Sequence, residues 1–157
     1  MDNIKQLSLQ EEFAPHNECF GCGPSNKLGL QIRSFVSDNS LVATFSPQAH
    51  HKAFDNILSG GIIGALLDCH SNWCAAYFIM KNRSENILPC TVTAKYSVQL
   101  LAPTPMNTPL TLIATPTLIG EKKAEISAKL MADNICTASC EGLFIAVKPG
   151  HPGYHRW

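Results

Sequence analysis

From Gly60 to about Met80 the chain carries Ile62, Ile63, Ala65, Leu66, Leu67, Cys69, Trp73, Cys74, Ala76, Tyr77 and Phe78, with little polar face between them. A helix that is apolar nearly all round must be covered on most sides, so the rest of the chain has to wrap it. It is too polar at Asp68, His70, Ser71 and Asn72 to cross a membrane. No uninterrupted apolar run approaches the ~20 residues that a bilayer span needs. Gly64 lowers helix propensity and marks close packing or the approach of a ligand.

The wrapping material reads as strands. Residues 28–36 and 41–45 form two, joined by the turn-forming Ser37-Asp38-Asn39-Ser40. After a polar loop at 81–86 come four more, at 88–101, 110–118, 123–131 and 135–147. The last two flank Asp133-Asn134, a dipeptide suited to a two-residue hairpin. Residues 47–58 read as irregular, 1–18 as a loose lead-in with a short helical turn, and 148–157 as an irregular tail. The expectation is a single α+β domain over 1–157, with an antiparallel sheet of about six strands curled round a long central helix.

Twelve basic and twelve acidic side chains leave no formal net charge, which argues against a nucleic-acid binder with its basic stripe. Only 15% of residues are charged, which leans towards self-association. The seven cysteines are odd in number and scattered, as in a reduced, cytoplasmic protein rather than a disulfide framework. The first ten residues show no apolar signal core, so export is not expected.

Chemistry concentrates in Ser59-Gly60-Gly61-Ile62-Ile63-Gly64-Ala65-Leu66-Leu67-Asp68. A Gly-Gly helix start bares backbone N–H groups that can hold developing negative charge. Asp68, two turns on among apolar neighbours, is a candidate base or nucleophile, against the plainer reading of a helix carboxylate paired with a basic side chain or exposed on one face. Ser59 suits an N-cap better than a catalytic role, though its hydroxyl could also meet substrate. His70, two positions from Asp68, points to another helix face and reads as a buried structural histidine, or one bonded across a dimer, rather than a catalytic partner. His50 and His51 read as solvent-facing, with lining of a substrate mouth as the lesser alternative. Trp73 and Tyr77, four apart, read as core. Arg83, Lys95, Lys122 and Lys123 are candidates for anionic phosphates, against the plainer reading of solvated charge.

A rival signal is His16-x-x-Cys19-x-x-Cys22. A Cys-x-x-Cys knuckle is half a tetrahedral zinc site, with His16 as a third ligand and His50, His51 or a partner chain as a fourth. Standard spacing offers no second Cys pair downstream, so the preferred reading is a tight turn carrying two small buried thiols.

The element order, with Gly60-Gly61, Asp68 and Ala102-Pro103, resembles the hotdog-fold acyl-CoA thioesterases, specifically the phenylacetate-pathway (PaaI-like) branch. Cys19-Phe20-Gly21-Cys22-Gly23-Pro24-Ser25-Asn26-Lys27-Leu28-Gly29-Leu30 is similar to the opening of many bacterial members. The resemblance covers roughly residues 16–147. It implies hydrolysis of an acyl-CoA thioester to a carboxylic acid and free coenzyme A, with no metal or redox cofactor. It also implies a homodimer or dimer of dimers whose sites lie at the interface and draw on both chains. Gly60 then offers its N–H to the thioester oxygen, Gly61 shares the motif, Asp68 of the opposite protomer activates water or attacks, and Thr93 positions water. Many relatives have His where this chain has Ser59, and an Asn six residues earlier is matched by Ala53. Asn56, nearby, is a substitute, and with His51, Lys122 and Lys123 it makes up the expected substrate-binding set. Those two departures motivate the alternative of a non-catalytic acyl-CoA or small-ligand binding protein on the same scaffold.

Overall fold

The computed structural model describes residues 5–155 and 157; residues 1–4 of the expected lead-in and residue 156 of the tail lie outside it. The elements run α1 (Leu9–Phe13), β1 (Phe35–Ser37), β2 (Ser40–Phe45), β3 (Lys52–Phe54), β4 (Ile57–Leu58), α2 (Gly60–Asn82), β5 (Thr91–Leu100), β6 (Leu110–Ile119), β7 (Lys123–Ala132) and β8 (Ile135–Ala146). Six strands form one antiparallel sheet in the order β1-β2-β6-β7-β8-β5, wrapped round α2, as expected. Strands β3 and β4 form a separate small ribbon.

Alternation explains how the sheet holds the helix. Along β7, Ala124, Ile126, Ala128, Leu130 and Ala132 are buried while the residues between them are not. One face therefore meets α2 and the other is left outside. Leu110, Leu112 and Ala114 of β6 join that face, as do Ala138, Cys140 and Phe144 of β8. From the helix come Leu66, Leu67, Trp73, Cys74, Ala75, Ala76 and Ile79, all fully buried. The Asp133-Asn134 hairpin forms as expected, pairing Ala132 with Ile135, with Asp133 at φ 52°. Among the described residues no helix is long and apolar enough to cross a membrane.

Three expectations need correction. Residues 28–34 are not a strand. Leu30 N–H instead donates to Phe20 O at 2.8 Å and Ile32 N–H to Gly21 O at 3.1 Å, so this stretch packs on the cysteine turn and only β1 reaches the sheet. The described part of the lead-in forms the expected short helical turn, α1, and it is anchored rather than loose. Ser8 and Glu11 form a capping box on α1, with Ser8 N–H donating to Glu11 Oε2 at 2.9 Å. That hydrogen bond, above all, holds the Glu11 carboxyl below its usual range. The stretch 47–58, expected to be irregular, contains a 3-10 turn at Ala49–His51 and the β3–β4 ribbon.

His70 is the buried structural histidine anticipated. Its Nε2–H donates to Leu41 O at 3.0 Å, which leaves Nδ1 to accept from Ser34 Oγ at 2.8 Å. Ser34 in turn accepts from Gln10 Nε2 at 2.9 Å, and Gln10 Oε1 accepts from Ser34 N–H at 2.7 Å. All three side chains are fully buried or nearly so, and the relay ties α1, the 28–34 segment and β2 to the helix. Trp73, also expected in the core, is fully buried and packs against Trp157 of the tail, the rings 4.4 Å apart and tilted by 47°.

Candidate active site

Ser59 sits at the N-cap of α2 with extended backbone (ψ 132°), but its side chain makes no capping hydrogen bond. Its own N–H donates to His51 O at 3.0 Å, and its carbonyl accepts the first helical bond, from Ile63 N–H, at 3.0 Å. The N–H groups before Ile63 have no helical carbonyl to bond. Gly60 and Gly61, which carry two of them, are exposed. A 23-residue helix directs the positive end of its dipole at this point.

Strand β5 lies along the open side of α2. A β-bulge between Thr93 and Lys95 resets its alternation, so Thr93 precedes the extra residue and Tyr96 follows it. Thr93 Oγ1 donates to Asp68 Oδ1 at 2.7 Å, Tyr96 reaches Gly64, and Leu100 reaches Gly60. Asp68 is half-buried. Its charge also bears on Cys140 of β8: burial first, then Asp68 and Glu141, push that thiol up to about 11.

Asp68 and Gly60 belong to the same helix but do not meet. Eight residues at a rise of about 1.5 Å put them roughly 12 Å apart along its axis. Beside Gly60 lies an apolar groove of about 380 Å³ lined by Phe54, Ile57, Ile63, Leu100, Leu101 and Pro103, among others. Phe54, Leu100 and Leu101 each expose more than half their surface.

The remaining sequence candidates are dispersed. His51 is buried, against the expectation that it faces solvent: its ring stacks on Phe45 at 5.5 Å and its Nδ1 accepts from Gln48 N–H at 3.0 Å. Burial, then the neighbouring His50, lowers its pKa. Asn56 turns the β3–β4 ribbon with φ 61°, exposed, and accepts from Met106 N–H at 3.0 Å. Lys122 lies in the β6–β7 turn and Lys123 opens β7. Lys123 is level with Ile145 and hence with Val92 of β5, about 26 Å of strand from Leu100. Arg83 is engaged there too, its guanidinium donating to Glu121 O, with Nε at 2.7 Å. In one chain, therefore, these cations do not share the Gly60 end.

Sequence reasoning missed Tyr96 and Leu100, whose facing depends on the bulge. It also placed Cys69 merely among apolar helix residues. Cys19, Cys22 and Cys69 in fact converge, their sulfurs within 4.8 Å of one another, whereas His16 is exposed and outside the group. Hydrogen bonds from Cys22 and then Cys69 pull the Cys19 thiol far below the ordinary thiol range. The same bond to Cys19, above all, raises Cys22 to about 11.

No protein-family model matches the chain, and no curated protein matches it by sequence. Solved structures do. A thioesterase superfamily protein from Shewanella loihica PV-4 is 25% identical, covers 80% of this chain and 98% of its own, and superposes with a TM-score of 0.66. Another thioesterase superfamily protein is 26% identical over 78% of this chain and 60% of that one, with a TM-score of 0.64. The PaaI protein of the E. coli phenylacetic acid degradation operon is 16% identical over 76% and 81%, with a TM-score of 0.63. The chain has the hotdog fold, and the thioesterase resemblance read from its motifs is borne out by the thioesterase superfamily structures it is similar to; the PaaI protein and a phenylacetic acid degradation-related protein, each 16% identical, share that fold.

Proposed function

We propose that the protein is an acyl-CoA thioesterase, hydrolysing a thioester to a carboxylic acid and free coenzyme A. The observation that carries this reading is the Thr93–Asp68 hydrogen bond of 2.7 Å on the open side of α2. A threonine hydroxyl that donates to a carboxylate oxygen fixes the orientation of the carboxylate, as a general base requires. The neighbouring thioesterases support the class of reaction; the acyl-CoA substrate and the residue roles are this proposal's own.

In the proposed reaction Asp68 takes a proton from water as the water oxygen attacks the thioester carbon. The Gly60 N–H and the helix dipole, with Gly61 beside it, receive the oxyanion. The tetrahedral intermediate collapses by breaking the C–S bond, and the thiolate departs and is protonated. Direct attack by the Asp68 carboxylate gives the same products through an anhydride. The 12 Å separation along the helix fits a site made by two chains, Gly60 of one facing Asp68 of the other. Strand β5, at the sheet edge with its middle residues exposed, offers the place for two copies to pair into one continuous sheet. The apolar groove beside Gly60 suits an acyl chain or the pantetheine arm. A homodimer, or a dimer of dimers, is part of the proposal.

The test is continuous thiol release across aliphatic and aromatic acyl-CoA esters, with Asp68→Ala beside the wild type. Turnover reduced by about 10²- to 10⁴-fold in the variant is expected; equal turnover would overturn the mechanism. The second reading, a non-catalytic acyl-CoA binding protein, draws on Ser59, which stands where the family resemblance calls for His in many members and whose side chain caps nothing. It predicts saturable binding and thermal stabilisation with no thiol release.

A further inference from the structure

The three converging thiols are not used by that mechanism. Cys19 and Cys22 come from the turn after α1, and Cys69 comes from the middle of α2, fifty residues on. Cys19 Sγ and Cys69 Sγ are 3.8 Å apart, and all three sulfurs lie within 4.8 Å of one another. Zinc–sulfur bonds of about 2.3 Å arranged tetrahedrally separate neighbouring sulfurs by about 3.8 Å. A disulfide needs about 2.05 Å instead, and no pair among the seven cysteines forms one.

Three further features suit thiolates. The backbone N–H groups of Gly21 and Cys22 face the Cys19 sulfur, as the donors of a metal knuckle do. Trp73, fully buried and beside Cys22, has an indole N–H with no hydrogen-bond partner among the described residues. A thiolate at Cys22 would accept from it. Gly21 is the point of closest approach: a Cβ there would stand 2.3 Å from Cys69 Sγ, so only glycine lets the turn press against the helix. The turn is braced for this by Cys19 N–H donating to Asn17 Oδ1 at 2.8 Å and Gly23 N–H to Cys19 O at 2.9 Å.

We infer that Cys19, Cys22 and Cys69 form a three-thiolate site for a zinc-class metal ion. Among the described residues no fourth His, Cys, Asp or Glu joins the group, so the fourth position falls to water. Binding forms three metal–sulfur bonds and releases the thiol protons to solvent, with no change of oxidation state. The ion cross-links the 17–32 turn to the helix at the residue after Asp68. His16, the third ligand that sequence spacing alone would nominate, has no part in it.

The experiment uses the whole chain, reduced and freed of metal, then incubated with zinc and desalted. About one zinc per chain is expected by elemental analysis. Cobalt in its place should give a sulfur-to-metal charge-transfer band and the visible absorption of a tetrahedral ion. Alkylation mapped by mass spectrometry should then spare Cys19, Cys22 and Cys69 when metal is present, and label Cys90 and Cys136 either way. In Cys69→Ser, zinc retention should fall at least tenfold, while Cys136→Ser retains it. Retention below a tenth of an ion per wild-type chain would overturn the inference. So would unchanged alkylation with metal, or a Cys19–Cys22 disulfide as the stable form under reducing conditions. The alkylation and cobalt arms use the wild type, so a variant that fails to fold does not blunt the test.

Discussion

At the scale of single residues, the most exposed commitment is the backbone N–H of Gly60. Gly60 is the first residue of α2, where the N–H has no helical acceptor and proline is well tolerated. Ser59 already has the extended backbone that a following proline demands, and the nearest side-chain atom to an added Cβ is Leu100 Cδ1 at 3.3 Å, at the tip of an exposed chain. Gly60→Pro should therefore melt within a few degrees of the wild type while its kcat/KM falls by about 10²- to 10³-fold. Thermal melts and thiol release on the same preparation separate the two effects. Lost activity with a lost fold would leave Gly60 no more than a turn residue.

At the scale of elements, the His70 relay makes stability depend on acid. His70 is neutral in the fold because burial holds its pKa down at about 4, against an ordinary 6.5, with only partial opposition from Leu41 O. Between those values the unfolded chain binds a proton that the folded chain refuses, so stability falls as pH falls. The full benefit is present above 6.5, and about 3 kcal/mol of it is lost by pH 4. Denaturant melts at intervals from pH 7 to 4 should show this slope, and His70→Asn should flatten it. An unchanged slope in the variant would place the acid sensitivity elsewhere.

The same elements show what the sequence could disclose. Helix α2 was legible because its apolar residues leave little polar face, and β6, β7 and β8 because alternation and turn residues bound them. His70 was legible from its spacing to Asp68. The 28–34 segment was misread because Leu30 and Ile32 are apolar for burial in the core, while their backbone N–H groups bond the cysteine turn and not a neighbouring strand. The β5 bulge leaves no mark in composition, so which of Thr93, Tyr96 and Leu100 face the helix could not be told. His51 is polar in type but buried by stacking on Phe45. Cys69 joined Cys19 and Cys22 only once the turn was folded against the helix. A candidate site carried by one local stretch, such as Ser59 to Asp68, can be picked out in sequence; a thiol cluster assembled across fifty residues cannot.

At the scale of the whole molecule, a site shared between chains makes a demand that no single-chain site makes. Asp68→Ala and Gly60→Pro should each be inactive as pure dimers. Unfolded together in equal amounts and refolded, half the dimers are mixed, and one of the two sites in each mixed dimer keeps both groups. Activity should then return to about a quarter of the wild type. No recovery in verified mixed dimers would put both groups in one chain, or in none.

The sheet order carries a consequence for how the chain assembles itself. Strands β6, β7 and β8 are joined by short turns, whereas β2 pairs with β6 only after the whole of α2 and β5 has been bridged, with Phe45 beside Leu110. Closing a loop that long costs entropy before any contact repays it. The β6–β8 meander, with the helix laid on it, should therefore gain protection from hydrogen exchange first and β2 last. Pulse labelling during refolding reads that order directly, and early protection of residues 41–45 would reverse it. On this ordering the cysteine turn and the Ser34–His70 relay close over a platform already built, so the N-terminal third of the chain folds as a clasp on the rest.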